Sequence, residues 1–533
     1  MRAPQIRPAL RRVHPSLPLL AAPVSGAVAA CGFPPLGLWP LTLLGMGGLL
    51  WLVARAPGPR AAALAGWLWG VGHFCVGMNW IATAFTYQAQ MPTWLGGIAV
   101  FLLSVCLAAF PALVAAAASL LGGGGARDRP AALVLAFAGL WIVSEWLRGW
   151  LFTGFPWNPL GAAALGPFGR PGLAQVLPWL GTYALSGLVV LAGGLWWLAW
   201  RWRANRLAAL ALAIAPAAAM LMPQMRAADP PGSLAYTLVQ PGIPQEFIDN
   251  PAHFEAQFRT TAALTLPRHP GERRLVLWPE SGVPDYLRDG YPAWFYDGNS
   301  FGGSPVLARS RIARAVGENG LLLTGTVDLV MRGERVLAAR NVVTALDGAG
   351  TIRAGYAKAH LVPFGEYLPM RELLEPLGLS RFVAGTLDFW PGPGPRTLNL
   401  AGWGQAGIQV CYEIVFSGEV VDPAHRPDYI FNPTNDGWFG NWGPPQHLAQ
   451  ARMRAIEEGL PVLRSTTNGI SAVIDANGIV QQYLPRPVAG RLEGFVPPAH
   501  APTLFSRFGN ALALGWSAVF LVGALLALRP RRG

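Results

Sequence analysis

The sequence predicts a multi-span α-helical membrane domain joined to an α/β domain outside the cytoplasm. Three observations lead there. Hydrophobic residues make up 52% of the 533 residues and charged ones only 13%, with 22 Trp, a composition suited to a lipid-embedded chain carrying a water-exposed part. The formal charge of +12 is unevenly placed: residues 231–500 hold 22 basic and 25 acidic residues, so the whole excess lies on either side of them. From Leu234 the long apolar runs give way to short β-like runs alternating with helical ones, the pattern of a layered α/β domain.

The membrane part comes first. Arg2, Arg7, Arg11 and Arg12 precede an apolar run from Pro15 to Phe33. Val28-Ala29-Ala30-Cys31 resembles a lipoprotein processing site, but the chain returns at once to apolar sequence, so the run is read as an uncleaved span. Further runs long enough to cross lie at 37–54, 61–86, 92–121, 131–150, 174–200 and 206–222, with one more at 509–528. Alternate loops carry the arginines: Arg55 and Arg60, Arg127 and Arg129, Arg201, Arg203 and Arg206, and finally Arg529, Arg531 and Arg532. By the positive-inside rule both termini are cytoplasmic, and residues 223–508 lie on the outer side. The expected division is therefore a membrane domain over 1–222, a soluble domain over 223–508, and a last span with a basic tail over 509–533. This placement of arginines in short loops also accounts for the basic balance without nucleic acid as a partner.

Smaller features fit this plan. Gly122-Gly123-Gly124-Gly125 has no Gly-Lys-Ser/Thr after it and reads as a flexible cytoplasmic linker. Glu145 and Arg148, three apart on one span, suggest an ion pair on a helix face. Thr153-Gly154-Phe155-Pro156-Trp157 looks like an interfacial aromatic anchor.

In the soluble part strands are expected at 234–239, 274–278, 320–325, 340–346, 405–411, 428–432, 461–466 and 470–475. Asp475-Ala476-Asn477-Gly478 signals a hairpin turn, and Met453, Ile456 and Leu460 mark a helix over 447–460. Three stretches carry chemistry. Gly407-Ile408-Gln409-Val410-Cys411-Tyr412-Glu413 reads as a buried strand stopping at a thiol. Leu277-Trp278-Pro279-Glu280-Ser281 puts a carboxylate at a strand end, and the stretch from Tyr356 to Glu366 supplies Lys358 and a second carboxylate. Glu280 as base, Lys358 as oxyanion cation and Cys411 as nucleophile suit acyl transfer. Lys358 is the only lysine among 40 basic residues, which points to a site needing a compact ammonium that a guanidinium does not replace. The other cysteines, Cys31, Cys75 and Cys106, lie in apolar runs, and no Cys or His spacing suits a metal. Trp438 and Phe439, in the glycine-flanked Asn435-Asp436-Gly437-Trp438-Phe439-Gly440, are read either as a packed aromatic turn or as a candidate lipid contact.

Trp-Pro-Glu, Lys-x-His-Leu-Val-Pro-Phe-Gly-Glu and Cys-Tyr-Glu, in that order, resemble the nitrilase (carbon–nitrogen hydrolase) superfamily. With seven spans before and one after, and with Glu145-Trp146-Leu147-Arg148-Gly149-Trp150, Asn432-Pro433-Thr434-Asn435-Asp436 and Thr467-Asn468-Gly469-Ile470, the whole chain resembles the apolipoprotein N-acyltransferase family. The resemblance implies an αββα sandwich on a helical base in the bacterial inner membrane, with the catalytic domain on the periplasmic side. It implies a Glu280–Lys358–Cys411 triad, supported by Glu366, Tyr412 and Glu413, that moves an acyl chain from a phospholipid to the amine of a diacylated apolipoprotein. Asp249-Asn250 departs from the family, which commonly has Trp there. The chemistry needs no metal or cofactor, because ester and thioester carry the required energy. His360 is read as a structural imidazole, since carboxylates fill the base role. Two other classes remain: a membrane-tethered amidase passing its acyl group to water, and a transporter or lipid-binding protein with an inert domain. The intact Glu280, Lys358 and Cys411 argue against the latter.

Overall fold

The computed structural model describes residues 17–87, 92–122, 129–377 and 387–529. The first four arginines, Gly123 to Gly125, Arg127, Arg531 and Arg532 lie outside the described residues.

Each of the eight apolar runs becomes helical. Trp94–Leu121, Pro130–Trp150, Leu173–Arg201 and Asn510–Leu528 are long and apolar enough to cross a membrane, and Pro59–Gly77 with Ile81–Tyr87 forms a pair bent by 52°. Leu20–Ala30, Trp39–Arg55 and Arg206–Met220 are shorter apolar helices. At 1.5 Å per residue, Trp39–Arg55 and Arg206–Met220 fall short of a hydrocarbon core about 30 Å thick. Leu43, Met46, Leu50, Phe137, Leu185 and Val189 of neighbouring helices share one apolar core.

Among the described residues the soluble part holds twelve strands: β1 (Ala235–Gln240), β2 (Arg274–Leu277), β3 (Gly320–Arg332), β4 (Arg335–Asp347), β5 (Ile352–Ala357), β6 (Thr397–Leu400), β7 (Gly404–Ile408), β8 (Tyr429–Thr434), β9 (Val462–Thr466), β10 (Ser471–Ile474), β11 (Val480–Leu484) and β12 (Gly490–Phe495). They form two six-stranded sheets, ordered β12-β1-β2-β3-β4-β5 and β11-β10-β9-β8-β7-β6. In each sheet the central three strands are parallel (β1-β2-β3 and β7-β8-β9) and the outer pairings antiparallel.

Alternation along the strands builds the layers. Leu275 and Leu277 of β2 and Leu321 and Leu323 of β3 face Ile408, Ile430 and Leu463 of the other sheet. Val276 and Leu322, one residue out of phase, face Ala308, Ile312 and Val316 of the Pro305–Val316 helix. The Gly443–Glu458 helix covers the second sheet, and its Met453 and Ile456 join the apolar core of the membrane helices. Helix, sheet, sheet and helix thus stack as an αββα sandwich whose last helical layer rests on the membrane helices.

All eight expected strands are present, and Asp475 to Gly478 is the β10–β11 turn, closed by Gly478 N–H to the Asp475 carbonyl at 2.9 Å. Polar side chains hold the sandwich on its base. Arg452 donates to the carbonyls of Gly166, Pro167 and Arg170. Within the Leu177–Arg201 helix Gly181 has φ +74°, a conformation that favours glycine, and a Cβ there would meet the Phe505 ring at 2.4 Å. The kink frees the Thr182 N–H, which donates to Glu457 Oε1 at 2.5 Å.

Candidate active site

The nucleophile sits on a strained turn. β7 ends at Ile408, Gln409 and Val410 continue the chain, and Cys411 opens a 3₁₀ turn over Cys411–Val415. Cys411 has φ +51°, rare for a residue with a Cβ, and is buried. Hydrogen bonds fix the turn on both sides. Val410 N–H donates to Glu413 Oε2 at 2.7 Å, and the Cys411 carbonyl accepts from His447 Nε2 at 3.0 Å.

Lys358 follows directly on β5, and Glu280 follows β2 by three residues. Lys358 Nζ lies 3.3 Å from Glu280 Oε1 and 3.0 Å from each oxygen of Glu366. Asn341 Nδ2, on β4, bridges the two carboxylates, at 2.7 Å to Glu280 and 3.0 Å to Glu366. The second oxygen of Glu280 accepts from the Asn435 N–H at 2.8 Å, and the same backbone N–H favours the thiolate form of Cys411.

The electrostatics of the site favour the protonated nucleophile. Lys358 does pull the Cys411 thiol downward, but burial and then the Glu280 charge outweigh it, and the thiol is raised well above its ordinary value. The resting cysteine is a protonated thiol, so its proton has to leave as the sulfur attacks. For Lys358, burial alone favours the neutral amine; Glu366 and Glu280 outweigh it, and the net shift is upward. The ammonium is therefore retained at neutral pH.

The supporting residues divide by task. Glu366 holds Lys358 and accepts from Val362 N–H at 2.8 Å. Glu413 makes no hydrogen bond to Lys358 Nζ; its Oε1 accepts from Tyr356 Oη at 2.7 Å and from the N–H groups of Ala359 and His360, while its Oε2 accepts from the Val410 N–H. It thereby ties the segment after Lys358 to the strand end before Cys411. Burial raises the Glu413 carboxyl, and these donors pull it back only in part. Tyr412 donates through Oη to the Gly154 carbonyl at 3.2 Å, reaching the loop after the Pro130–Trp150 helix. His360 stacks on Phe416 at 4.1 Å and pairs with Glu419. Phe439 is buried edge-on against Trp80 at 4.7 Å, whereas Trp438 is half-buried against Tyr87.

Two sequence expectations change. Arg148 donates to the carbonyls of Phe155 and Trp157, and Glu145 accepts from Trp141 Nε1 and Leu160 N–H, so each serves backbone or indole partners in place of an ion pair. Held this way, Trp157 is no interfacial anchor. It is fully buried, stacks on Tyr412 at 6.5 Å and donates to Gln446 Oε1 at 2.9 Å. Sequence reasoning also missed Asn341 and gave Asn435, Asp436 and His447 no task. Asp436 accepts from Arg464 Nη2 at 2.7 Å and lies 2.9 Å from His447 Nδ1.

Residues 25–195 match the apolipoprotein N-acyltransferase N-terminal domain family, and residues 238–487 match the carbon-nitrogen hydrolase family. A solved amidase from Nesterenkonia sp. AN1 is 20% identical, covering 54% of this chain and 96% of its own, with a TM-score of 0.34. The apolipoprotein N-acyltransferase of Rhodopseudomonas palustris is 34% identical over 530 residues, 95% of this chain and 94% of the relative. That of Azotobacter vinelandii is 36% identical over 526 residues, 96% of each chain. Likeness at this level runs through the membrane helices and the sandwich alike, and the chain belongs to the apolipoprotein N-acyltransferase family.

Proposed function

We propose that the protein transfers an acyl chain from a membrane phospholipid, through a thioester on Cys411, to the N-terminal amine of an S-diacylglyceryl-cysteine on an apolipoprotein. The observation that carries this reading is a buried Cys411 on a strained turn, electrostatically coupled to Glu280 and Lys358, in a sandwich resting on apolar helices. Glu280 takes the thiol proton as Cys411 Sγ attacks the ester carbonyl. Lys358 and the Tyr412 N–H stabilise the oxyanion. Collapse breaks the ester bond, and the departing lysophospholipid oxygen takes the proton from Glu280. The acceptor amine then attacks the thioester and gives a proton to Glu280, which returns it to the leaving Cys411 sulfur. Trp438 is the candidate lipid contact that keeps exposed surface, Phe439 being committed to packing.

The reading divides the chain into a membrane domain (1–222), a catalytic domain (223–508) and a terminal span with tail (509–533), in the bacterial inner membrane with the catalytic domain on the periplasmic side. Transfer to water by a membrane-tethered amidase is the weaker reading, because relatives 34% and 36% identical over nearly the whole chain are apolipoprotein N-acyltransferases. Phospholipid supplied without acceptor is expected to leave a hydroxylamine-labile acyl group on Cys411, seen by mass spectrometry. Cys411→Ala should lose both this adduct and acylated lipopeptide; product at the unsubstituted level from that variant would overturn the covalent scheme.

A further inference from the structure

His447, on the Gly443–Glu458 helix, reaches the strained turn at Cys411. It is fully buried, walled by Trp157 at 5.1 Å and Phe439 at 5.8 Å. Both ring nitrogens are engaged. Nε2 lies 3.0 Å from the Cys411 carbonyl oxygen, and Nδ1 lies 2.9 Å from Asp436 Oδ1 and 3.1 Å from Arg464 Nη2. A carbonyl oxygen only accepts, so Nε2 carries a proton whatever the charge on the ring. Arg464 is itself anchored to Asn432 Oδ1, Thr434 Oγ1 at 3.2 Å and Asp436 Oδ2.

The bonded carbonyl belongs to a particular peptide. A peptide unit is planar and trans, so its C=O and N–H point in opposite directions. The N–H on the far side of the Cys411 carbonyl is that of Tyr412, the backbone donor assigned above to the oxyanion. Fixing the oxygen fixes the plane, and fixing the plane aims the N–H. A hydrogen bond to the carbonyl also polarises the same peptide toward a stronger donor. The left-handed Cys411 gives this peptide every reason to rotate if released, since φ +51° is costly for a residue with a Cβ.

We propose that His447, braced by Asp436 and Arg464, is a positioning residue that orients the Cys411–Tyr412 peptide and thereby the oxyanion donor. The inference rests on the thioester reading above. It makes a separable demand, because aiming an oxyanion donor matters for attack on a carbonyl and not for attack on a saturated carbon. Alkylation of Cys411 by iodoacetamide displaces iodide and forms no oxyanion; acylation by a phospholipid ester does.

Two substitutions isolate the contact. In glutamine, Nε2 stands the same number of bonds from the backbone as Nε2 of histidine, so His447→Gln keeps a donor for the Cys411 carbonyl. In asparagine the amide reaches only the Nδ1 position, so His447→Asn keeps a partner for Asp436 and Arg464 and loses the carbonyl. Both are polar, and melting curves of the detergent-solubilised full chain check that they fold. For His447→Asn, thioester formation from phospholipid should fall by about a hundredfold, the scale of a lost oxyanion donor. Iodoacetamide alkylation should stay within about threefold, and His447→Gln should recover acylation to within about tenfold of the unsubstituted enzyme. Equal losses of acylation and alkylation would overturn the proposal, as would unimpaired acylation in His447→Asn or His447→Gln faring no better than it. Cys411→Ala, run alongside, separates the two failures: a thioester signal surviving there removes the thioester reading itself.

Discussion

Three carboxylate oxygens within 3.3 Å surround the one amino group of Lys358, and its side chain is only 1% exposed. That crowding turns a compositional oddity into a steric statement. A guanidinium carries the same charge but is broader and presents it as a planar fork. Lys358→Arg should therefore fold and insert, yet lose about 10²–10³ in transfer rate, the scale of a lost oxyanion donor. The check is turnover of phospholipid with a diacylated lipopeptide beside a melting curve; activity within about threefold, a barrier change under ~1 kcal/mol, would show that any cation serves. Lys358 was legible because it is alone in its type, and Cys411 because it is the one cysteine outside the apolar runs. Asn341 was not. It bridges Glu280 and Glu366, 61 and 25 residues away, and nothing in Arg335–Asp347 marks one asparagine as a ligand of two carboxylates.

At the scale of elements the sequence was readable from the inside outward. The four strands it did not announce, β5, β6, β11 and β12, are the four edges of the two sheets. Central strands are covered on both faces and read as apolar runs, whereas Val480–Leu484 is exposed or half-exposed along its length and carries Gln481 and Gln482. The bent helix pair and the kink at Gly181 escaped for a related reason: apolar content reports burial in lipid, not the path of the axis. One contact between elements decides where the base stands. Gly325 on β3 donates to the Pro279 carbonyl at 3.0 Å, and a Cβ there would come within 1.8 Å of the Glu280 carbonyl oxygen. Gly325→Ala should push the Glu280 backbone off β3 and cost about 1–3 kcal/mol, the range for overpacking a close contact. Transfer should fall at least tenfold, measured as thioester formation beside the denaturation midpoint; an active, fully stable variant would show that the strand end yields freely.

At the scale of the whole molecule the sandwich is closed where the chain enters and leaves it, and tied to its base through its middle. Val496 N–H donates to the Leu234 carbonyl at 2.8 Å, and His500 Nε2 lies 2.8 Å from Asp229 Oδ1, so the strands of chain entering and leaving the soluble part are joined. Between them the Trp157–Gln446, Thr182–Glu457 and Tyr412–Gly154 hydrogen bonds cross from helices and loops of the base to the layer that carries the strained turn. The same backbone that follows a lipid-embedded helix therefore touches the residue next to the nucleophile.

That last contact sets the dimensionality in which the enzyme meets its donor. On the proposed reading, a site whose wall includes the loop at the end of the Pro130–Trp150 helix would meet its donor by lateral diffusion, so the governing variable would be the fraction of donor in the surface and not its molarity in the tube. Diluting a fixed amount of phospholipid with inert detergent should lower the initial rate of Cys411 acylation in proportion to the mole fraction of donor. Adding buffer alone, at constant detergent-to-lipid ratio, should leave the rate per enzyme nearly unchanged.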